Sequence, residues 1–276
     1  MLGRSRTHLF LLSVSIFAWS IWAAGQTVSS GSRWLAQAHS HNDYQHPRPL
    51  LDALERGFCS VEADVFLVNG QLLVAHDADQ IRPERTLESL YLEPLAARLR
   101  KKAGPASVPA CLFTLLIDVK SEAEPAWKAL SSVLQRYRDI LTVFDGDEVR
   151  PGLLTVFISG NRAASLMLSE RIRYAGLDGR LSDVDLGLKP AVMPLLSDDW
   201  TRYFEWSGKG GILPKERDQL NYMVKKAHAH GYRVRFWAAP DNPAGWAVLK
   251  DAGVDFINTD DLEGLSRFLR QGDADE

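Results

Sequence analysis

Residues 37–44 read QAHSHNDY and residues 50–77 read LLDALERGFCSVEADVFLVNGQLLVAHD, and these two segments decide both the fold and the candidate site. Together these segments contain six polar side chains that could form a site, His39, His41, Asn42, Glu62, Asp64 and His76. Glu62 and Asp64 are two residues apart in a β-branched, apolar segment. Side chains at positions i and i+2 of a strand face the same way. The sequence therefore predicts two carboxylates side by side on one face of a strand.

This pair of carboxylates predicts a cation. Two buried carboxylates repel each other, and each loses hydration at a cost of several kcal/mol. A hard divalent cation offsets both costs because carboxylate oxygens are its preferred ligands. An Asn-Gly hairpin signal follows the strand, and folding the chain back there puts Ala75 opposite Asp64. His76 then lies beside the carboxylates, with His41 one connection upstream, and two histidines near a metal suit acid–base chemistry on a phosphate ester.

Three motifs in these segments, Ser-His-Asn-Asp-Tyr, Val-Glu-Ala-Asp-Val and Val-Ala-His-Asp, resemble those of the phosphatidylinositol phospholipase C-like phosphodiesterases. That superfamily includes glycerophosphodiester phosphodiesterases and sphingomyelinase D. The leading His-Ser-His-Asn-Asp-Tyr resembles its "altered inheritance of mitochondria" branch. The resemblance implies an irregular (β/α)8 TIM barrel of the α/β class, a divalent metal and two catalytic histidines. The His-Arg-Gly and Glu-Asn-Thr hallmark of the glycerophosphodiester phosphodiesterases is absent, so a glycerophosphodiester is the alternative substrate.

The same resemblance implies roles for individual residues. It gives His41 and His76 as catalytic residues, Asn42, Glu62, Asp64 and Asp118 as metal ligands, and Lys120 and Trp237 as substrate-binding residues. Asp118 and Lys120 end an apolar run and point the same way, so a salt bridge at the barrel rim is the alternative for this pair. Core packing is the alternative for Trp237. His39 and His41 would share a strand face, and the choice of His41 rests on the Asn42 that follows it.

The rest of the chain alternates apolar strand-like runs with amphipathic helical ones, which is typical of a barrel with parallel strands. Its 276 residues are 46% hydrophobic and 24% charged, which favours one large globular domain over a disordered chain. We expect that domain at 26–276. The aromatic residues of 200–206 precede a glycine-rich loop and indicate either a lid that touches lipid or, as the commoner case, packing beneath the loop.

Residues 1–25 have the features of a secretory signal peptide, with Arg4 and Arg6 before an apolar run over 9–22 and small residues at 23–25. An uncleaved anchor is the alternative, but the run is short for a membrane span of about 20 residues. We therefore expect an exported protein that begins near Gln26. Cleavage removes two positive charges from a formal net charge of −3. The resulting acidic chain argues against nucleic acid as a partner.

The chain has only two cysteines, Cys59 and Cys111, each at the start of an apolar run. In an exported protein they could pair, but two cysteines do not make a disulfide framework. Buried free cysteines are common in apolar strands. We therefore expect two unpaired thiols.

The leading hypothesis is a metal-dependent phosphoric diester hydrolase of phospholipase type, a monomer that cleaves a phospholipid or a related small phosphodiester with transient membrane-surface contact. One amide and three carboxylates, with both histidines off the metal, favour calcium over zinc, and magnesium is the alternative. A non-catalytic phospholipid-binding barrel is a further alternative, but a binding protein does not need two acid–base histidines. Substitution of Glu62 or Asp64 is expected to remove the metal and leave the fold intact, because the site lies at a barrel rim.

Overall fold

Strands and helices alternate along the computed structural model of the protein, which describes residues 34–101 and 111–272. In this part of the chain the strands are β1 Leu35–Ser40, β2 Phe58–Val68, β3 Gln71–Val74, β4 Phe113–Val119, β5 Val143–Asp145, β6 Glu148–Arg150, β7 Leu154–Gly160, β8 Ile172–Arg173, β9 Gly176–Gly179, β10 Leu195–Asp199, β11 Arg233–Trp237 and β12 Phe256–Thr259. The α-helices are α1 Leu51–Glu55, α2 Glu93–Arg100, α3 Ala123–Gln135, α4 Ala164–Ser169, α5 Pro214–Ala229, α6 Pro243–Asp251 and α7 Leu262–Gly272. The predicted signal peptide lies outside the described residues.

Eight of these strands are parallel and close into a barrel. Their order is β1-β2-β4-β7-β9-β10-β11-β12, and β12 pairs with β1 to complete the ring. The predicted irregular (β/α)8 barrel is therefore confirmed. Because the strands are parallel, all their carboxyl ends meet at one rim, which is where barrel enzymes place their chemistry. Among the described helices, none is long and apolar enough to cross a bilayer.

The predicted hairpin follows β2, and β3 runs antiparallel to β2 outside the barrel ring. Both turn residues have positive φ, 49° at Asn69 and 79° at Gly70, as a two-residue hairpin loop requires. The backbone N–H of Ala75 donates to the carbonyl of Asp64 over 3.2 Å, which confirms the predicted register. The hairpin thus returns the chain to the end of the strand that carries the carboxylates.

The barrel interior is filled by an apolar cluster topped by polar groups. Leu116, Phe157, Leu195 and Phe256 form a buried cluster separate from the main core under the helices. Two residues further along each strand, on the same face, the sequence has Asp118, Ser159, Ser197 and Asn258. The inward faces therefore change from apolar to polar towards the carboxyl ends of the strands, and the polar layer forms the base of the candidate site.

The two cysteines form a disulfide, so the expectation of two unpaired thiols is wrong. Cys59 and Cys111 have Cα atoms 6.2 Å apart and join β2 to the segment that leads into β4. These strands are neighbours in the barrel, although 52 residues separate the cysteines in sequence. The local sequence pattern could not predict that the two cysteines lie close together, because this happens only when β2 and β4 pair.

The aromatic residues after β10 are packed beneath the loop that follows, as the commoner of the two sequence interpretations expects. Trp200 and Phe204 have ring centroids 4.1 Å apart, and Trp200 also meets Phe236 of β11 edge-on at 5.7 Å. The indole N–H of Trp200 donates to the carbonyl of Trp206 over 3.0 Å. These rings stabilise the rim next to Trp237.

Candidate active site

Three carboxylates lie together at the carboxyl ends of β2 and β4. Asp64 is in register with Asp118 of the neighbouring strand, and Glu62 lies two residues before Asp64 on the same face. One oxygen from each of the three lies within 4.8 Å of the others. We call Glu62, Asp64 and Asp118 the carboxylate cluster. Its formation confirms that the two sequence motifs, 54 residues apart, meet at one place.

The carboxylate cluster fits a divalent cation. Burial and the neighbouring charge of Glu62 raise the pKa of Asp64 above its usual value, and burial likewise raises the pKa of Asp118. The Oδ1 atom of Asp64 is buried and accepts no hydrogen bond from any described residue. A hard cation would relieve the repulsion and supply the missing partner, and all the oxygen donors are of the type that calcium and magnesium prefer.

Two cations of the protein already lie against the carboxylate cluster. Lys120 Nζ lies 3.0 Å from Asp64 Oδ2 and 3.1 Å from Asp118 Oδ1. Lys120 therefore forms the salt bridge with Asp118 that was the alternative prediction for this pair. Its role as a substrate-binding residue stays a prediction. Arg235 of β11 is buried and places Nη2 2.5 Å from Glu62 Oε2. Burial alone would raise the pKa of Glu62, but Arg235 together with His39 and His41 more than offsets burial and holds this pKa well below its ordinary range.

His39 lies inside the barrel and is only 1% exposed. Its Nδ1 is 2.7 Å from Ser60 Oγ, and its Nε2 is 3.4 Å from Glu62 Oε2. Burial and the nearby charge of Arg235 lower the pKa of His39 to about 4, so the ring is neutral at neutral pH. A ring enclosed in this way cannot contact a substrate. Of His39 and His41, the geometry therefore favours His41 as the acid–base residue.

His41 lies at the barrel mouth, where its side chain is 29% exposed. Its Nδ1 is 3.0 Å from Oδ1 of Asp260, which follows β12. Burial alone would lower the pKa of His41, but its hydrogen bond to Asp260 and the nearby carboxylates raise it above its usual value. The next residue, Asp261, has a different role, because it accepts from the N–H of Gly264 in the first turn of the last helix over 2.8 Å.

His76 also lies at the mouth, next to the carboxylate cluster. Its Nδ1 lies 3.2 Å from Asp64 Oδ2 and 3.0 Å from the hydroxyl of Tyr44. The same hydroxyl donates to Asp64 Oδ2 over 2.7 Å. Tyr44 is buried and therefore holds both a carboxylate of the cluster and a candidate catalytic histidine in place.

Asn42, predicted as a metal ligand, is connected to the carboxylate cluster through a hydroxyl. Its Oδ1 lies 2.7 Å from the Tyr44 hydroxyl, and its Nδ2 lies 3.0 Å from His41 Nδ1. The backbone of Asn42 is left-handed, with φ 47°, a conformation that asparagine tolerates better than most residues. Asp43 fixes this turn, because its buried carboxylate accepts from Ser40 Oγ at 2.7 Å and from the N–H of Leu50 at 2.5 Å. A role for Asn42 as a ligand stays a prediction.

One glycine makes room for the carboxylate cluster. Gly160 ends β7 with φ 66°, and a Cβ atom there would lie 2.2 Å from Asp118 Oδ1. Any larger residue would displace the carboxylate or strain the backbone, because φ in this range favours glycine. The sequence shows this glycine, but only the pairing of β4 with β7 explains it.

Trp237 is half-buried at the end of β11, the predicted place. The guanidinium of Arg180 lies over its ring at 4.9 Å from the centroid. The Trp237 ring therefore packs against Arg180, and its contact with substrate stays a prediction. Sequence reasoning missed Arg235, Tyr44 and Asp260 as members of the site. Of these three, Arg235 could have been noticed in the sequence, because it interrupts an apolar strand and faces the same way as Trp237.

Known proteins match this chain over most of its length. A model of the AIM6-like phosphodiesterase domain matches residues 33–175, and one of the glycerophosphoryl diester phosphodiesterase family matches residues 233–263. Altered inheritance of mitochondria protein 6 homolog from Arthroderma benhamiae is 31% identical over 262 residues, which covers 84% of this chain and 83% of that protein. Altered inheritance of mitochondria protein 6 from Eremothecium gossypii is 33% identical over 270 residues, covering 85% and 69% respectively.

Solved structures share the fold at low sequence identity. A crystal structure of glycerophosphodiester phosphodiesterase from Agrobacterium tumefaciens matches 85% of this chain and 99% of its own, with a TM-score of 0.52 and 14% identity. A putative glycerophosphoryl diester phosphodiesterase from Silicibacter pomeroyi matches 88% and 95%, with the same TM-score and identity. At this identity the likeness establishes the barrel fold alone, whereas the domain model and the fungal relatives establish the family. The chain therefore belongs to the family of AIM6-like phosphodiesterase domains.

Proposed function

We propose that this protein hydrolyses phosphodiesters with the help of one bound divalent cation, calcium in the first place and magnesium as the alternative. One observation carries the proposal. Two histidines lie at the mouth near the carboxylate cluster, and each is held at Nδ1 by a carboxylate, His41 by Asp260 and His76 by Asp64. A protein that only binds phospholipid has no need of such a pair.

Glu62, Asp64 and Asp118 would hold the cation, and Asn42 would join them through its amide oxygen. A cation bound there supplies neutralisation of the charge that develops on the phosphoryl oxygens. Lys120, which bridges two of the carboxylates, adds a positive charge where the phosphate would lie. Arg235 keeps Glu62 ionised and in place from beneath.

The two histidines supply the proton transfers. A carboxylate oxygen only accepts hydrogen bonds, so Nδ1 of His41 and Nδ1 of His76 carry the hydrogen. Nε2 of each ring forms no hydrogen bond with any described residue and is the atom that exchanges a proton with substrate. One ring takes the proton of the attacking hydroxyl, and the other gives a proton to the leaving oxygen as its bond to phosphorus breaks.

The attacking hydroxyl is expected to belong to the substrate. A hydroxyl next to the phosphate has a high effective concentration, which lowers the barrier by several kcal/mol. We expect a cyclic phosphate as the first product from phosphodiesters with a neighbouring hydroxyl. The check is phosphorus NMR in ¹⁸O-labelled water on a panel of phosphodiesters, with calcium, magnesium or excess chelator. Immediate label in a linear monoester without a cyclic species would show that water attacks directly, and full turnover in chelator would refute the metal requirement.

A glycerophosphodiester is the second candidate substrate. The match of residues 233–263 to the glycerophosphoryl diester phosphodiesterase family favours it. Its glycerol carries a hydroxyl next to the phosphate, so it also suits intramolecular attack. The same panel separates the candidates, because a phospholipase would prefer intact phospholipid over the deacylated diester by a clear ratio of kcat/KM.

Export remains our proposal for the location of the protein, and the disulfide between Cys59 and Cys111 supports it, because such bonds persist in oxidising compartments. We expect chain recovered from outside the inner membrane to begin near Gln26 and to show no free thiol when unfolded without reductant. Replacing both cysteines by Ser should destabilise the fold by about 4 kcal/mol, since the bond closes a long loop. N-terminal sequencing, thiol titration and urea unfolding check this, and full-length cytosolic chain with two free thiols would contradict it.

A further inference from the structure

Two arginines converge on one aspartate at the barrel mouth, away from the carboxylate cluster. Asp178 of β9 is fully buried and accepts from Ser159 Oγ over 2.7 Å. Arg180 places Nη1 3.5 Å from Asp178 Oδ2, and Arg162 donates from Nη1 to the backbone carbonyl of Asp178. Both guanidinium groups therefore lie against Asp178, but only Arg180 is paired with its carboxylate.

Arg162 forms no ion pair with a carboxylate anywhere in 34–101 or 111–272. It is half-buried, and the carboxylates whose charge reaches it, Asp178, Asp183 and Asp118, lie beyond ion-pair distance. Burial and the like charge of Arg180 lower the pKa of Arg162, which is consistent with two cations held close together. Two guanidinium groups held close together with a single ion-paired carboxylate repel each other, and an added anion would relieve that repulsion.

Arg180 is held in a fixed orientation. Its guanidinium lies over the ring of Trp237, and its backbone N–H donates to Asp183 Oδ2 over 2.8 Å. The side chain is 22% exposed, so the guanidinium is open to the mouth on one side. Such stacking lowers the entropy lost on binding, and the planar fork of arginine matches a phosphate with two parallel hydrogen bonds.

The two arginines follow strands that lie further round the ring than the strand that Lys120 follows. Lys120 follows β4, Arg162 follows β7 and Arg180 follows β9, in that order around the ring. Adjacent strands are about 4.8 Å apart, so the ends of β4 and β9 are roughly 10 Å apart. Arg162 donates to a residue of β9 and Arg180 stacks on a residue of β11, and neither forms an ion pair with the carboxylate cluster.

We propose that Arg162 and Arg180 form a second anion subsite beside the carboxylate cluster, for a substrate that carries another phosphate or similar anionic group besides its phosphodiester. This inference rests on the proposed function and narrows its substrate class. The scissile phosphate would lie on the side of Lys120, and the additional anion would lie between the two guanidinium groups next to Trp237.

The test is calorimetric binding of two probes to the calcium-saturated full chain, propyl phosphate and propane-1,3-diyl bisphosphate. We expect the bisphosphate to bind at least tenfold more tightly, which exceeds the twofold gain from its two equivalent ends. Arg162→Met and Arg180→Met should each reduce this advantage to threefold or less, while the Kd for propyl phosphate changes less than threefold. Methionine keeps the apolar stem that packs on Trp237 and removes only the charged fork.

Arg202→Met is the matched control, since Arg202 lies at the same rim, is mostly exposed and is paired with Asp198 instead. It should keep the full advantage of the bisphosphate. Equal binding of the two probes by the unaltered protein would overturn the proposal, as would an advantage that survives both substitutions. Loss of propyl phosphate binding in the arginine variants would also overturn it, because the arginines would then hold the first phosphate. All these outcomes are measured by binding and do not depend on turnover. The phosphodiester panel tests the proposed hydrolysis separately, so the failure of one proposal can be distinguished from the failure of the other.

Discussion

Replacing Asp64 by Asn is expected to abolish calcium-dependent hydrolysis while the barrel stays folded. Asp64 is the centre of the carboxylate cluster, and its buried Oδ1 has no partner among the described residues. Loss of metal-assisted charge stabilisation should lower kcat/KM about 10³-fold, which corresponds to roughly 4 kcal/mol. Asn removes a buried charge that lies against Glu62, so the metal-free variant should be at least as stable as the unaltered protein.

The measurement is thermal unfolding with chelator and with saturating calcium, alongside kinetics. The unaltered protein should gain about 3 kcal/mol of stability at a calcium concentration of 100 times Kd, and Asp64→Asn should gain almost none. Asp139→Asn, which changes an exposed carboxylate paired with Arg100, is the control and should keep both calcium responses. A calcium response that persists in Asp64→Asn would place the metal elsewhere.

Glu62 is not interchangeable with Asp64 in this experiment, and here the structure corrects the expectation from sequence. Glu62 and Arg235 form a buried ion pair, with both side chains almost fully enclosed. Removing one partner of such a pair costs about 3–5 kcal/mol because the other charge stays buried without compensation. Glu62→Gln would therefore lose activity and stability together, so it cannot separate metal binding from folding.

Replacing His41 or His76 by Ala is expected to lower kcat by about 10²–10⁴-fold for each, as for the loss of one proton-transfer group. Both rings are partly exposed at the mouth and are held only through Nδ1, so their removal should leave the unfolding free energy nearly unchanged. Steady-state kinetics on a phosphodiester of the panel, with urea unfolding of each variant, is the measurement. His230→Ala is the matched control, because this exposed histidine directly follows α5, far from the site, and its ring hydrogen-bonds to the Lys226 carbonyl and stacks on Tyr232.

His39→Ala should behave in the opposite way. Its ring is buried between Ser60 and Glu62, and removing it leaves buried polar atoms unsatisfied at a cost of about 1–3 kcal/mol. The residual folded protein should keep more activity than His41→Ala. A larger fall in kcat for His39→Ala than for His41→Ala, in protein that is still folded, would shift the assignment of the first catalytic histidine by two residues.

Local sequence was sufficient for the elements that carry the site. The spacing of Glu62 and Asp64 placed two carboxylates on one strand face because side chains alternate along a strand. The Asn-Gly turn fixed the return of His76, since both residues accept the positive φ that a tight hairpin needs. Asp118 followed from the same reasoning with help from family resemblance. In each case the deciding interaction lies within one strand or across one turn.

Closure of the barrel decided the rest. Glu62 meets Arg235 across 173 residues, and His41 meets Asp260 across 219, because the last two strands return to the first. The same closure buries His39 and leaves His41 open, although the two are equivalent in the strand pattern. It also brings Cys59 to Cys111. The sequence by itself determined which residue types stand at the strand ends, whereas pairing partners, burial and counter-charges depend on strand order around the ring, which no local period encodes.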